Sequence, residues 1–274
     1  MKKILVLTDF SDSAQNAAQM AVQIAKKINA EILFLHCTEV PIDWLTMTEG
    51  NKAIYTDVKE KVNNIHGELN ALVKLADQEG IEAKHSVGFN KDTTHLNEYM
   101  EKNEIDLVVM GSTGAYGLKE LFSGSNSQQV VRHSEVPVLI IKEPLDISNM
   151  QIVFVSDFEA EILPPFKKMV TLAKALDAKI HLIHVDIGEF GMHIWQVEKN
   201  MQAFVSAAGE QFADTFVVHA FNVEEGVDKY CEKKEGAIIC MATHGRTGIS
   251  RLIKGSLTEQ LVKHLDVSLI SLHI

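Results

Sequence analysis

Short apolar runs alternate along the chain with longer stretches of helical spacing, and this alternation predicts strands followed by helices. Lys3 to Thr8 is nearly continuous in apolar residues, as expected of a parallel strand buried on both faces. Ser11, Asp12 and Ser13 then offer N-cap candidates for a helix from about Ala14 to Ile28. A strand over Glu31 to Cys37 follows, then a polar segment with Pro41, and a long helix from about Asp57 to Glu79 closed by Gly80. Ile81 to Val87 reads as a strand, His95 to Lys102 as a helix and Asp106 to Met110 as a strand. A glycine-containing loop leads to a helix over Ser125 to His133 and a strand over Val136 to Ile141. Beyond a linker from Lys142 to Met150 the plan restarts at Ile152, with helices near Pro165 to Leu176, Ile194 to Glu210 and Val227 to Lys234 and a final strand over Val267 to Leu272. Helices separating strands imply right-handed crossovers, hence a five-stranded parallel sheet in each half.

The restart is a true repeat. Lys3-Ile4-Leu5-Val6-Leu7-Thr8-Asp9-Phe10 matches Gln151-Ile152-Val153-Phe154-Val155-Ser156-Asp157-Phe158 at an offset of 148, and the second strands, ending at His36 and His184, keep that offset. The most informative pattern is Gly111-x₂-Gly114-x₉-Gly124-Ser125, which recurs as Ala242-x₂-Gly245-x₉-Gly255-Ser256. There the offset is 131, so the second half lacks about seventeen residues, matching a stretch within Glu39 to Glu60. Each glycine pattern follows an apolar run and precedes a helix-like stretch. Glycine lets the backbone approach a ligand, and the N–H groups and dipole of the next helix favour negative charge, so each is a place to hold a phosphate. Ligands of such sheets bind at the carboxyl ends of strands near the switch point of strand order, where Asp9, Asp157 and both glycine loops fall.

A length of 274 residues fits two domains, 1–143 and 150–274, each large enough for its own core. The net charge of −11 argues against nucleic acid as a main partner. No apolar run approaches the roughly 18 residues of a membrane span, and the amino-terminal strand reaches Asp9 too soon for a signal peptide, so a cytoplasmic location is expected. Cys37, Cys231 and Cys240 lack metal-site spacing and read as buried, inert thiols of a reducing compartment.

These features together resemble the universal stress protein family in its tandem form. The resemblance rests on Thr8-Asp9-Phe10-Ser11, the His36 and His184 strand ends, the glycine patterns with flanking Met110 and Met241, and Thr243-His244-Gly245-Arg246-Thr247-Gly248. It implies two tandem Rossmann-like domains of the adenine nucleotide alpha hydrolase-like kind, a nucleotide-responsive stress regulator, and binding of ATP, ADP or AMP with Mg²⁺. By the same resemblance Asp9 lies by adenine and ribose with Thr8 and Phe10 on the adjoining backbone, and the main chain of Cys37 contacts adenine. Met110 and Gly111 continue that wall, Gly114 admits the phosphates, and Gly124, Ser125 and Ser127 grip the terminal phosphates. The matching positions in the second half are Ser156, Asp157, Phe158, Val185, Met241, Ala242, His244, Gly245, Gly255, Ser256 and Thr258, with Arg246 able to add a charge-assisted hydrogen bond to phosphate. Single-domain relatives pair through their last strands, so Val136 to Ile141 and Val267 to Leu272 are expected to pair within this chain as an intramolecular pseudo-dimer, which can double again into a homodimer.

Plainer readings stand beside these. Asp9 and Asp157 can cap the loop before the first helix of each half, and Gly117 and Gly248 read as simple turns. His181 and His184, three apart on a strand, point to opposite faces and read as structural. Met192, Trp195 and Met201 read as packing residues of the second half's long helix. No Gly-x-Ser-x-Gly elbow or Walker loop is present and no base for water is placed, so the expectation is a binding protein, not an enzyme. The competing expectation is an interaction or regulatory module of the same fold that binds no nucleotide.

Overall fold

A computed structural model describes residues 1–52, 54–89, 93–112, 131, 134–188, 194–232, 234–243 and 267–274. The first half runs β1 (Lys3–Leu7), α1 (Asp12–Ile28), β2 (Glu31–Thr38), α2 (Ile42–Thr46), α3 (Glu49–Lys52), α4 (Thr56–Gln78), β3 (Ala83–Phe89), α5 (Thr93–Lys102), β4 (Leu107–Gly111) and β5 (Val138–Ile141). The second runs β6 (Gln151–Val155), α6 (Leu163–Leu176), β7 (Lys179–Asp186), α7 (Ile194–Ala208), β8 (Phe212–His219), α8 (Val223–Cys231), β9 (Ala237–Thr243) and β10 (Leu269–His273).

The strands form one sheet in the order β3-β2-β1-β4-β5-β10-β9-β6-β7-β8. Every neighbouring pair is parallel except β5 and β10, which run antiparallel with Leu269 opposite Ile140 and Ser271 opposite Val138. The expected pairing of the two last strands is therefore what joins the halves, and no residue of β5 is more than marginally exposed. Register repeats with the sequence: Ile4 lies between Ile32 and Leu107, and Ile152 between Ile180 and Ile238.

Continuous apolar strands have both faces covered. One face carries Ile4, Val6, Phe34, Val109, Ile152, Phe154 and Cys240 against α1, α4, α6 and α7 in a single cluster that crosses both halves. The other carries Leu5, Leu7, Val108, Met110, Val153, Val155 and Met241 against α5 and α8. Helix α1 sits very close to the sheet because its inward face is built from Ala14, Ala17, Ala18, Ala21 and Ala25, all buried. Ser11 caps its start, and Asn29, in the left-handed region, sends its N–H to the Ala25 carbonyl at its end.

Several expectations need correction. The polar stretch after β2 contains two short helices, with Trp44 buried against Val40, Val62 and Phe89; helices of five and four residues are too short to show a period. Helix α8 begins at Val223 instead of Val227, because the Asn222 side chain accepts the Glu225 N–H at 2.8 Å and starts the helix one turn earlier. Trp195 is 59% exposed instead of buried as a core residue would be, whereas Met201 is buried; Met192 lies outside the described residues. Cys231 and Cys240 are buried as expected, but Cys37 is only half-buried. Burial pushes the Cys231 thiol up to about 12 and the Cys240 thiol well above its ordinary value. The expected helix over Ser125 to His133 lies outside the described residues except for Val131, which is helical and buried.

Candidate functional site

Strand β1 lies between β2 and β4, and the chain leaves it toward β2 on one side and returns on the other by β4, so the carboxyl end of β1 is a switch point where a crevice must open. Strand β6, between β7 and β9, repeats this. The crevice wall comes from a length mismatch. Pairing of β1 with β2 ends at Leu7 and Leu35, but β2 continues through His36, Cys37 and Thr38, still paired with β3. In the second half β7 likewise overhangs β6 by His184, Val185 and Asp186.

The strand ends are held by the same clamp in both halves. The Thr8 hydroxyl accepts the Phe10 N–H at 3.0 Å, and the Ser156 hydroxyl accepts the Phe158 N–H at 2.9 Å. Both phenylalanines adopt the left-handed region, with φ of 68° and 60°, which a bulky residue enters only when its surroundings impose it. From the overhanging strand, His36 Nδ1 donates to the Thr8 carbonyl at 2.8 Å and His184 Nδ1 donates to the Ser156 carbonyl at 3.1 Å. A carbonyl only accepts, so each Nδ1 carries the proton. Burial lowers the pKa of His36, against the opposing pull of the Thr8 carbonyl and of Asp9, while Lys61 adds to the lowering. A neutral imidazole follows. His36 and His184 were recognised in the sequence only as strand ends; their shared offset with Thr8 and Ser156 was the signal that they act on those residues.

The halves differ in how open the crevice is. Asp9 and Phe10 are half-buried, and Asp9 Oδ1 accepts the Ser11 N–H at 3.0 Å and the Ser11 hydroxyl at 2.6 Å. The Phe10 ring stacks on His36, with centroids 4.7 Å apart and planes 20° from parallel. In the second half Asp157 is 5% exposed and its Oδ1 accepts the Glu159 N–H at 3.4 Å. Phe158 turns into the core, its centroid 5.0 Å from Phe204 and 6.2 Å from Phe154. Val185 is buried and meets α8 at Gly226, where an added Cβ would lie 2.5 Å from Val185 Cγ1.

Gly111 is fully packed. A Cβ there would lie 2.6 Å from the Ser13 carbonyl carbon and 2.7 Å from both the Ala14 nitrogen and the Ser13 oxygen, so its missing side chain admits the first turn of α1. The second half tolerates Ala242 at this place because its helix begins later: α1 starts three positions after Asp9, whereas α6 starts six positions after Asp157, following a 3₁₀ turn over Ala160–Ile162. Met110 and Met241 are buried on the opposite face. The structure thus gathers Thr8, Asp9, Phe10, Cys37, Met110 and Gly111 around one strand end and Ser156, Asp157, Phe158, Val185, Met241 and Ala242 around the other. Gly114, Gly124, Ser125, Ser127, His244, Gly245, Arg246, Gly255, Ser256 and Thr258 lie outside the described residues.

Among the described residues no group of three or more His, Cys, Asp or Glu side chains is placed to hold a metal ion, and no helix is long and apolar enough to cross a membrane. His181 proves structural: Nδ1 contacts Asp214 Oδ1, Nε2 lies 2.8 Å from Gln151 Oε1, and the Tyr230 hydroxyl donates to Asp214 Oδ1 at 3.2 Å.

Fold and crevices define a class: paired Rossmann-like α/β units, each with a clamped strand end at its switch point. The sequence model of the Universal stress protein family matches residues 1–142 and 192–272, and the chain belongs to that family. A universal stress protein of Methanocaldococcus jannaschii is 31% identical over 144 residues, covering 52% of this chain and 83% of that protein. The universal stress protein E homolog of Haemophilus influenzae is 23% identical over 310 residues, covering 99% of this chain and 97% of its own length. The crystal structure of a universal stress protein from Archaeoglobus fulgidus superposes with a TM-score of 0.71 at 19% identity, covering 98% of this chain and 95% of that one, which extends the likeness of fold to both halves.

Proposed function

We propose that this chain is a nucleotide-responsive binding protein of the cytoplasm whose first half, within a tandem of units 1–143 and 150–274, holds an adenine nucleotide. The observation that carries the reading is the crevice beside β1, where a rigidly clamped Thr8-Asp9-Phe10 segment faces the overhanging main chain of β2 and Asp9 stays half-open. Main-chain N–H and C=O groups of an overhanging strand suit the polar edge of adenine. A carboxylate suits the vicinal hydroxyls of ribose. The glycine pattern from Gly111 to Ser125 follows directly, and a loop entering a helix suits phosphate. Mg²⁺ would enter with a triphosphate, since it keeps several waters and is bound largely through substrate phosphates.

The burial of Asp157, Phe158 and Val185, whose counterparts Asp9, Phe10 and Cys37 are half-buried, favours a second half that serves mainly as a structural partner, joined through β5 and β10 as an intramolecular pseudo-dimer. Nucleotide then regulates by binding one conformation better than another, changing partner contacts or further dimerisation, with binding and not turnover as the working event. Calorimetry with Mg-ATP tests this. Gly114→Val should abolish the heat of binding and Gly245→Val should largely leave it; full binding by Gly114→Val, or no heat from the parent protein at millimolar nucleotide, overturns the reading. In the latter case the chain works through its surfaces alone.

A further inference from the structure

We infer that His66 of α4 and His85 of β3 form a two-imidazole site for a divalent transition metal of the zinc or copper type, separate from the nucleotide crevice. Strand β3 is an edge of the sheet, and His85, opposite Phe34, faces α4 across it. His85 Nε2 donates to Asn70 Oδ1 at 3.2 Å, which leaves the lone pair on Nδ1. That Nδ1 is buried and, among the described residues, has no hydrogen-bond partner. An orphaned acceptor inside a folded protein calls for an explanation.

His66 supplies one. Its ring centroid lies 5.4 Å from that of His85, with planes at 56°. Two imidazoles on one ion, with metal–nitrogen bonds of about 2.0–2.1 Å and a tetrahedral angle, place their centroids roughly 5 Å apart. His66 and Asn70 are four apart on α4 and so share the helix face turned to β3. Asn70 thereby orients the ligand through its second nitrogen, the usual arrangement around metal-bound histidine. His66 is exposed, so an ion reaches the site from solvent and water fills the remaining positions. Imidazole pairs select zinc, copper or nickel over magnesium and calcium. In the second half Thr215, opposite Leu182, stands where His85 stands in the first, so the site belongs to the first half.

Titration of the full chain with Zn²⁺ alone, without nucleotide, tests the inference. The parent should take up one ion more per chain than His66→Gln, whose exposed position keeps the fold intact. Asn70→Ala should retain the site with affinity weakened about 10–100-fold. With Cu²⁺, electron paramagnetic resonance should show coupling to two imidazole nitrogens in the parent and its loss in His66→Gln. Equal uptake by parent and His66→Gln, or no uptake by the parent, overturns the site; because the nucleotide is absent, neither result bears on the crevice at β1.

Discussion

Gly111→Ala is the sharpest probe of how the crevice is built. The added Cβ would meet three backbone atoms of Ser13 and Ala14 at 2.6, 2.7 and 2.7 Å, where ordinary contact begins at 3.4 Å. No flexible side chain can move aside, so β4 and the start of α1 must separate by roughly 0.7–0.8 Å. Overpacking of this kind costs about 1–3 kcal/mol, and the backbone nature of all three contacts places it at about 2–3 kcal/mol. For a chain of this size that corresponds to a fall of roughly 5–10 °C in Tm. Urea and thermal unfolding followed by circular dichroism measure it directly. Ala242→Gly is the control in the other half: it loses one buried methyl, about 0.8 kcal/mol, and adds strand entropy of about 0.5–1 kcal/mol, without any clash. A Gly111→Ala protein within about 0.5 kcal/mol of the parent would refute the argument that the glycine is there for α1.

Two further outcomes follow from named groups. Because burial holds the pKa of His36 below its ordinary value of 6.5, the unfolded chain takes up this proton first as the pH falls. Its contribution to stability is therefore full above about pH 6.5 and is lost as the pH drops through the folded value. His36→Gln should flatten the fall in urea midpoint between about pH 7.5 and about pH 5.5, leaving the slope due to His85, which shifts the same way; an unchanged slope in the variant defeats the assignment. Asp214→Ala removes the carboxylate partner of His181 and Tyr230 and should cost about 1–3 kcal/mol in urea unfolding. It should also bring down the ionisation midpoint of Tyr230, which burial and then Asp214 raise; a spectrophotometric titration with an unmoved tyrosine would count against the cluster.

Much of the fold was legible because its strands are buried on both faces and write themselves as unbroken apolar runs. Lys3–Leu7 and Gln151–Val155 were visible both as such runs and as copies of each other. The pairing of the two last strands was expected only from the resemblance to single-domain relatives, not from any pattern of residues. Less legible were α2 and α3, whose lengths fall below a readable period, and the exposure of Trp195, since an aromatic on an amphipathic helix looks the same from sequence whether its face is covered or not.

The candidate site divides in the same way. Sequence alone determined that each half has an apolar run leading into Thr-Asp-Phe or Ser-Asp-Phe, a second run carrying a histidine and, further on, a glycine pattern, because these are local strings, the first two repeated at an offset of 148 and the last at 131. Only the tertiary structure decided that the histidines clamp the preceding carbonyls, that Gly111 makes room for a helix, and that Asp9 and Phe10 stay half-buried while Asp157 and Phe158 are buried. Those outcomes depend on where α1 and α6 begin relative to the strand beside them. A three-residue difference in helix onset is a matter of packing between elements distant in the chain, and no local pattern of residues carries it.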